Sequence, residues 1–153
     1  MATGDITRGT RTVLANVARL HSNTNGLAEA FGEIDVTGGG VAVSIYLIVP
    51  IHSSATAGTY DLYIVESQDA AEWTDNIDPA TSGDVAAKIA DARLVASVNT
   101  IYDATHRTDA EFHVSINMFE FAAGYLGLCL DNNSGQTIPA SGADGDSVIL
   151  TVS

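Results

Sequence analysis

Residues 110–117 read AEFHVSIN, and their pattern sets the reading of the whole chain. Phe112, Val114 and Ile116 fall on one side of a two-residue period, and Glu111, His113 and Ser115 on the other. Successive side chains of an extended strand point to opposite faces, so this is a half-buried strand with one wet face. The stretch VAVSIYLIV (41–49) keeps the period but is apolar on both sides. Val43, Ile45, Leu47 and Val49 share one face, and Tyr46 and Ile48 the other. Such a strand is central in its fold, or meets another subunit with its outer face.

Working outward from these two, eight segments carry strand patterning: about 10–19, 28–37, 41–49, 59–67, 93–101, 110–117, 124–131 and 146–152. Turn chemistry separates them, in NTNG (23–26), TGGG (37–40), ATAG (55–58), ATHRTD (104–109), DNNSG (131–135) and SGADGD (141–146). Glycine supplies positive φ there, and Asn and Asp bond their own backbone. The expectation is all-β: an eight-stranded antiparallel β-sandwich of jelly-roll type, two four-stranded sheets face to face. One segment departs from the pattern. In SGDVAAKIADARL (82–94), Val85 and Ile89 are four apart and Asp84 stands at an N-cap position. This predicts one short surface helix in the long crossover from Ser67 to Ala92. A chain of 153 residues can bury a core of its own. Residues 1–20 read as an N-terminal arm leading into the first strand, and 21–153 as a single β-sandwich domain.

The net charge is −13, from 6 basic and 19 acidic residues. That argues against nucleic acid, whose phosphates need Lys and Arg, and against anionic membrane surfaces. No basic-then-apolar leader and no membrane-length apolar run is visible, so a soluble protein made in a cytoplasm is expected. Arg8, Arg11 and Arg19 lie in the first 20 residues, opposed only by Asp5. They are candidates for docking on an acidic neighbouring surface. Cys129 sits alone in an apolar run and reads as a small core hydrophobe.

The stretch YDLYIVESQDAAEWTDNID (60–78) begins as a strand and breaks into an acidic loop. Asp69, Glu72, Asp75 and Asp78 surround Trp73, the single Trp of the chain. Glycosidase carboxylates flank a cleft, whereas these recur along one crossover. Trp73 is therefore a candidate crossover anchor, with a ligand platform as the competing role. The four histidines, His21, His52, His106 and His113, show no zinc spacing. DNNSG and SGADGD offer oxygens but lack the spaced carboxylates of a calcium loop. There is no nucleophile elbow and no phosphate-cradling loop. No catalytic residue, metal or cofactor is expected, and the chain reads as something other than an enzyme.

The run TYDLYIVESQDAAEWTDN (59–76) resembles a feature of tailed-bacteriophage capsid proteins, a strand ending in a polar S-x-D turn followed by an aromatic and a Thr. The C-terminal stretch YLGLCLDNNSGQTIPASGADGDSVILTVS (125–153) is similar to the closing strand pair of phage head decoration (cement) proteins. The Lys-poor, acidic composition is similar too. The resemblance implies a structural virion protein of jelly-roll type on the capsid exterior, made in the host cytoplasm. It implies a homotrimer over junctions of the major capsid protein, bracing the shell. On this expectation Tyr46, Ile48, Tyr63 and Val65 are candidates for the subunit interface, and Arg8, Arg11 and Arg19 for the capsid contact. The alternative is a carbohydrate-binding or adhesion module, tail or fibre associated, using Trp73 and nearby Tyr residues on the same scaffold.

Overall fold

The computed structural model describes residues 11–13, 17–20, 23–37, 42–80, 85–86, 89–117, 124–139 and 148–152. Six long strands dominate: β2 (Leu27–Asp35), β3 (Ala42–Pro50), β4 (Thr59–Ser67), β6 (Arg93–Asn99), β7 (Asp109–Asn117) and β8 (Tyr125–Asn133). Three short pieces join them: β1 (Arg11–Val13), β5 (Val85–Ala86) and β9 (Val148–Val152). Among the described residues they form two antiparallel sheets. One has the order β1-β9-β3-β7, the other β5-β2-β8-β4-β6.

The pairings are nested. β4 pairs with β6, β3 with β7, β2 with β8, and β1 with β9, so each pair encloses the previous one in sequence. Period-two patterning explains why the sheets then stack. From β3, Val43, Ile45, Leu47 and Val49 are buried, and they face the same way as Phe112 and Ile116 of β7. Tyr60, Leu62 and Ile64 of β4 and Leu126, Leu128 and Leu130 of β8 join the same core from the other sheet. Each such side chain contributes about 1.5–3 kcal/mol when fully buried. The Tyr60 hydroxyl would be orphaned there, but it donates to the Pro50 carbonyl at 2.9 Å.

β8 is buried on both faces, which a two-layer sandwich does not account for. The reason is a second core on the outer face of the five-stranded sheet. Ala28, Ala30, Val65 and Cys129 of the sheet pack there against Trp73 and Ile77 of the crossover. The molecule therefore has three layers: sheet, sheet and crossover.

Two expectations need correction. The helix expected within 82–94 is absent where the chain is described: Val85–Ala86 pairs with β2, and β6 starts at Arg93. The backbone N–H groups of Ala90, Asp91 and Ala92 donate to the Asp75 carboxylate rather than to carbonyls one turn back. Among the described residues of the crossover, Thr74–Asn76 forms a 3-10 turn. The strand expected over 10–19 covers Arg11–Val13, and Val17–Leu20 is a second 3-10 turn. β1 is part of its sheet, so the stretch read as an arm enters the sandwich by residue 11.

Candidate interaction surfaces

Hydrogen bonds clip the crossover to the sheet at several points. β4 ends in a turn in which Asp69 Oδ1 accepts from the N–H groups of Ala71 at 2.9 Å and Glu72 at 3.1 Å, and from the Ser67 hydroxyl at 3.2 Å. These donors, the backbone ones first, hold the Asp69 carboxyl below its ordinary range. Trp73 then forms a bridge with Ser67. The Thr74 hydroxyl accepts from the Glu66 N–H at 3.2 Å and donates to the Glu66 carbonyl at 3.3 Å. Asp75 accepts from Ala90 at 3.0 Å, Asp91 at 2.9 Å and Ala92 at 2.8 Å. Burial pushes the Asp75 carboxyl up, but these bonds together outweigh it and leave it lowered. Ala70, Asp75 and Asn76 all have positive φ, at 62°, 58° and 56°. Such conformations cost a non-glycine residue about 1–2 kcal/mol each, so the clips hold a strained path.

Under this path Trp73 is 6 % exposed. Its neighbours explain the fit. Ala28, Ala30 and Cys129 are short, and Gly127 is shorter still. A Cβ on Gly127 would lie 2.7 Å from Pro79 Cγ and 2.9 Å from Val65 Cγ2. The strands beneath are thus kept small where the crossover is bulky. Trp73 is buried in this second core, against Ala28, Ala30, Val65, Ile77 and Cys129. Cys129 lies in the same layer, and burial, followed by the carboxylates of Asp131, Glu29 and Asp75, pushes its thiol up to about 12.

The residues proposed from sequence for a subunit interface do not form one patch. Tyr46 and Ile48 lie half-buried on the outer face of the four-stranded sheet. The Tyr46 ring meets that of His113, tilted by 45° with centroids 4.6 Å apart, and His113 Nε2 is 3.4 Å from Glu111 Oε2. Tyr63 and Val65 lie on the opposite side of the molecule, on the outer face of the other sheet. Tyr63 is half-buried, but Val65 is fully buried beneath the crossover and so is not free to meet a subunit. Burial first, then Asp61 and Asp131, raise the Tyr63 phenol above its ordinary value.

The three arginines also part company. Arg8 lies outside the described residues. Arg11 is in register with Thr151 in β9, its side chain outside the description. Arg19 donates to the carbonyls of Pro79 at 3.0 Å and Ala80 at 3.1 Å, a further clip on the crossover of its own chain.

The oxygen-rich turn DNNSG is likewise engaged internally. Asn132 is buried and donates to the carbonyls of Asn23 and Gln136, while its Oδ1 accepts from the N–H and hydroxyl of Ser134. Asn133 donates to both Asp61 at 3.1 Å and Asp131 at 2.9 Å, and Ser97 donates to Asp61 as well. No cluster of three or more metal-ligating side chains occurs among the described residues. SGADGD lies outside them.

One surface gave no motif. β6 and β7 are both edge strands, and a groove of about 290 Å³ runs between Arg93–Val95 and Val114–Asn117. Leu94 and Ile101, in and just after β6, are the large hydrophobic side chains left exposed among the described residues. The signal was present in RLVASVN, a strand whose apolar side chains do not alternate cleanly. Its cause is a register shift opposite Leu62 and Tyr63 that leaves Val95 as an extra residue.

Compared with known protein families, curated proteins and solved structures, the chain has no match.

Proposed function

We propose that the chain is a structural virion protein, a head decoration (cement) protein of jelly-roll type that binds and braces the outside of a phage capsid. The observation that carries this reading is the nested pairing. With the two-residue β5 set aside, eight strands fold as one long antiparallel double ribbon, β1–β4 against β6–β9, rolled into two sheets. This pairing supports the jelly-roll reading, an architecture of viral capsid and lectin domains. Fold alone does not choose between those roles, and the loops lend support to the first. The rival reading, a carbohydrate-binding or adhesion module, needs an exposed aromatic platform, and the Trp73 ring is buried at 6 % exposure. The acids beside it, Asp69 and Asp75, are tied to backbone N–H groups. A rigid, acidic sandwich with clipped loops suits a bracing part. On this reading its partners are the major capsid protein and further copies of itself, in a trimer, and it is made in the host cytoplasm.

The test is co-sedimentation with capsids that lack their decoration protein. Saturable binding at a fixed ratio to the major capsid protein, with raised resistance of the shell to heat, is the expected result. Failure to bind, together with retention on a glycan array, turns the assignment over to the adhesion module.

A further inference from the structure

Asn25–Gly26, in the turn NTNG before β2, is the one Asn-Gly pair in the chain. Such a pair can react with itself. The glycine amide nitrogen attacks the preceding asparagine Cγ, and glycine has no side chain to hinder the approach. The nitrogen loses its proton to solvent base, the N–Cγ bond forms, and the side-chain nitrogen leaves as ammonia. Water then opens the five-membered succinimide ring at either carbonyl, giving aspartate or isoaspartate. The balance is one water taken up and one ammonia released. Here the pair is open to solvent. Both residues are exposed, Gly26 has φ +81°, and a Cβ on it would meet no described atom within 4 Å.

Yet both reacting groups are held. The Gly26 N–H donates to the Asn132 carbonyl at 2.6 Å, and Asn25 Oδ1 accepts from the Gly135 N–H at 2.7 Å. Two more bonds tie the same turns together. Asn132 Nδ2 and the Ile138 N–H both donate to the Asn23 carbonyl, at 2.9 Å and 3.0 Å. NTNG and DNNSG thus form a clasp, and while it is closed the Gly26 nitrogen is not free to lose its proton and turn toward Cγ. We infer that Asn25 is a self-modification site gated by this clasp, reacting when the two turns part while the sandwich stays folded. The other asparagines of the clasp are less reactive, because Asn23, Asn132 and Asn133 are followed by Thr24, Asn133 and Ser134, whose side chains crowd the attack. The two products differ in consequence. Aspartate keeps the backbone, and its carboxylate accepts from Gly135 with charge added. Isoaspartate runs the chain through the side-chain carbon, which moves the Gly26 amide off the Asn132 carbonyl and leaves the clasp open. The site belongs to the turns themselves and does not depend on the capsid role.

The test is peptide mass spectrometry of the Asn25 segment after incubation in mildly alkaline buffer, on native wild type, wild type unfolded in urea, and Asn132→Ala. Native wild type converts about 10–100-fold more slowly than the unfolded chain, the protection expected of a few hydrogen bonds. Asn132→Ala loosens the clasp without touching Asn25, and converts faster than native wild type. A second measurement needs no variant. In urea below the unfolding midpoint the wild-type rate rises with a slope well under the global m-value, because only the clasp opens. Asn25→Asp keeps the wild-type urea midpoint, whereas the isoaspartate form, separated by chromatography, has a lower one. A native rate equal to the unfolded one shows that there is no gate and overturns the inference. A native rate that follows global unfolding with the full m-value also overturns it, because the clasp then has no opening of its own. Conversion at another asparagine ahead of Asn25 overturns the assignment of the site.

Discussion

Replacing Trp73 with Ala and with Phe tests the three-layer description most directly. A buried Trp removes on the order of 200 Å² from water, worth about 5 kcal/mol of transfer free energy. How much of that appears as lost stability depends on whether the site can collapse. Ala28, Ala30 and Cys129 are on strands held by pairing on both sides, so that wall stays put. Only the crossover can move inward, and Thr74, Asp75 and Arg19 clip it in place. Trp73→Ala is therefore expected to cost about 3–4 kcal/mol, or a melting temperature lower by about 6–16 °C in a chain of this size. Trp73→Phe differs in kind. Among the described residues the buried indole Nε1–H has no hydrogen-bond partner. A buried unsatisfied donor costs about 1–3 kcal/mol, so its removal offsets the smaller ring, and Trp73→Phe stays within about 1 kcal/mol of wild type. Urea unfolding followed by far-ultraviolet circular dichroism measures both, with an unchanged m-value showing that the native state keeps its layers. A Trp73→Ala cost below about 1 kcal/mol refutes the anchor, because a ring that costs so little to delete is not holding a layer. Equal losses for Ala and Phe refute the argument from the orphaned N–H.

Other perturbations test neighbouring parts. Gly127→Ala drives a methyl group into Pro79 and Val65, and should destabilise by about 1–3 kcal/mol in the same assay. Asn132→Ala removes four hydrogen bonds from the buried turn, and a loss of about 2–3 kcal/mol is expected, with faster hydrogen exchange at Ser134 and Gln136. Backbone N–H bonds lower the carboxyls of Asp69 and Asp103, and for Asp75 they outweigh the rise from burial, all relative to an ordinary value of 3.8. A lowered native value stabilises above the unfolded value and is lost as pH falls through the native one, so the urea midpoint should drop on acidification below about pH 4. Glu66, raised by burial against the opposing pull of Arg93, works the other way and softens that drop. Cys129 should be inert to thiol reagents in the folded state at neutral pH, and its labelling should follow opening of the crossover.

The sheets were legible because alternation is a local property. In AEFHVSIN the period alone assigns faces, and the long strands lie within a residue or two of where patterning put them. The crossover was not legible, because its shape depends on partners distant in sequence. Val85 and Ile89 have helical spacing, yet the backbone N–H groups just beyond them are claimed by Asp75, fifteen residues before Ala90. The candidate interface failed for a related reason. Tyr46 and Tyr63 both look like outward residues of apolar strands, and nothing local says that their strands belong to different sheets. That Trp73 is buried was legible from its size and its place in an acidic loop. The match to Ala28, Ala30, Gly127 and Cys129 was not, since small residues on one strand face gain meaning only when the covering segment is known.

The nested pairing also sets an order of assembly. Contacts between partner strands lengthen steadily along the chain, from Tyr60–Val98 through Leu47–Phe112 and Ala30–Cys129 to Thr12–Leu150. Loop closure favours the innermost pair first, and a topology so rich in distant contacts folds slowly. β9, made after every other described strand, is not at an edge: it lies between β1 and β3. A nascent chain that stops short of Val148 leaves β3 with a bare flank and β1 with nothing to pair with. Such an intermediate is sticky by the same backbone chemistry that completes the sheet, so β9 is the strand that seals it.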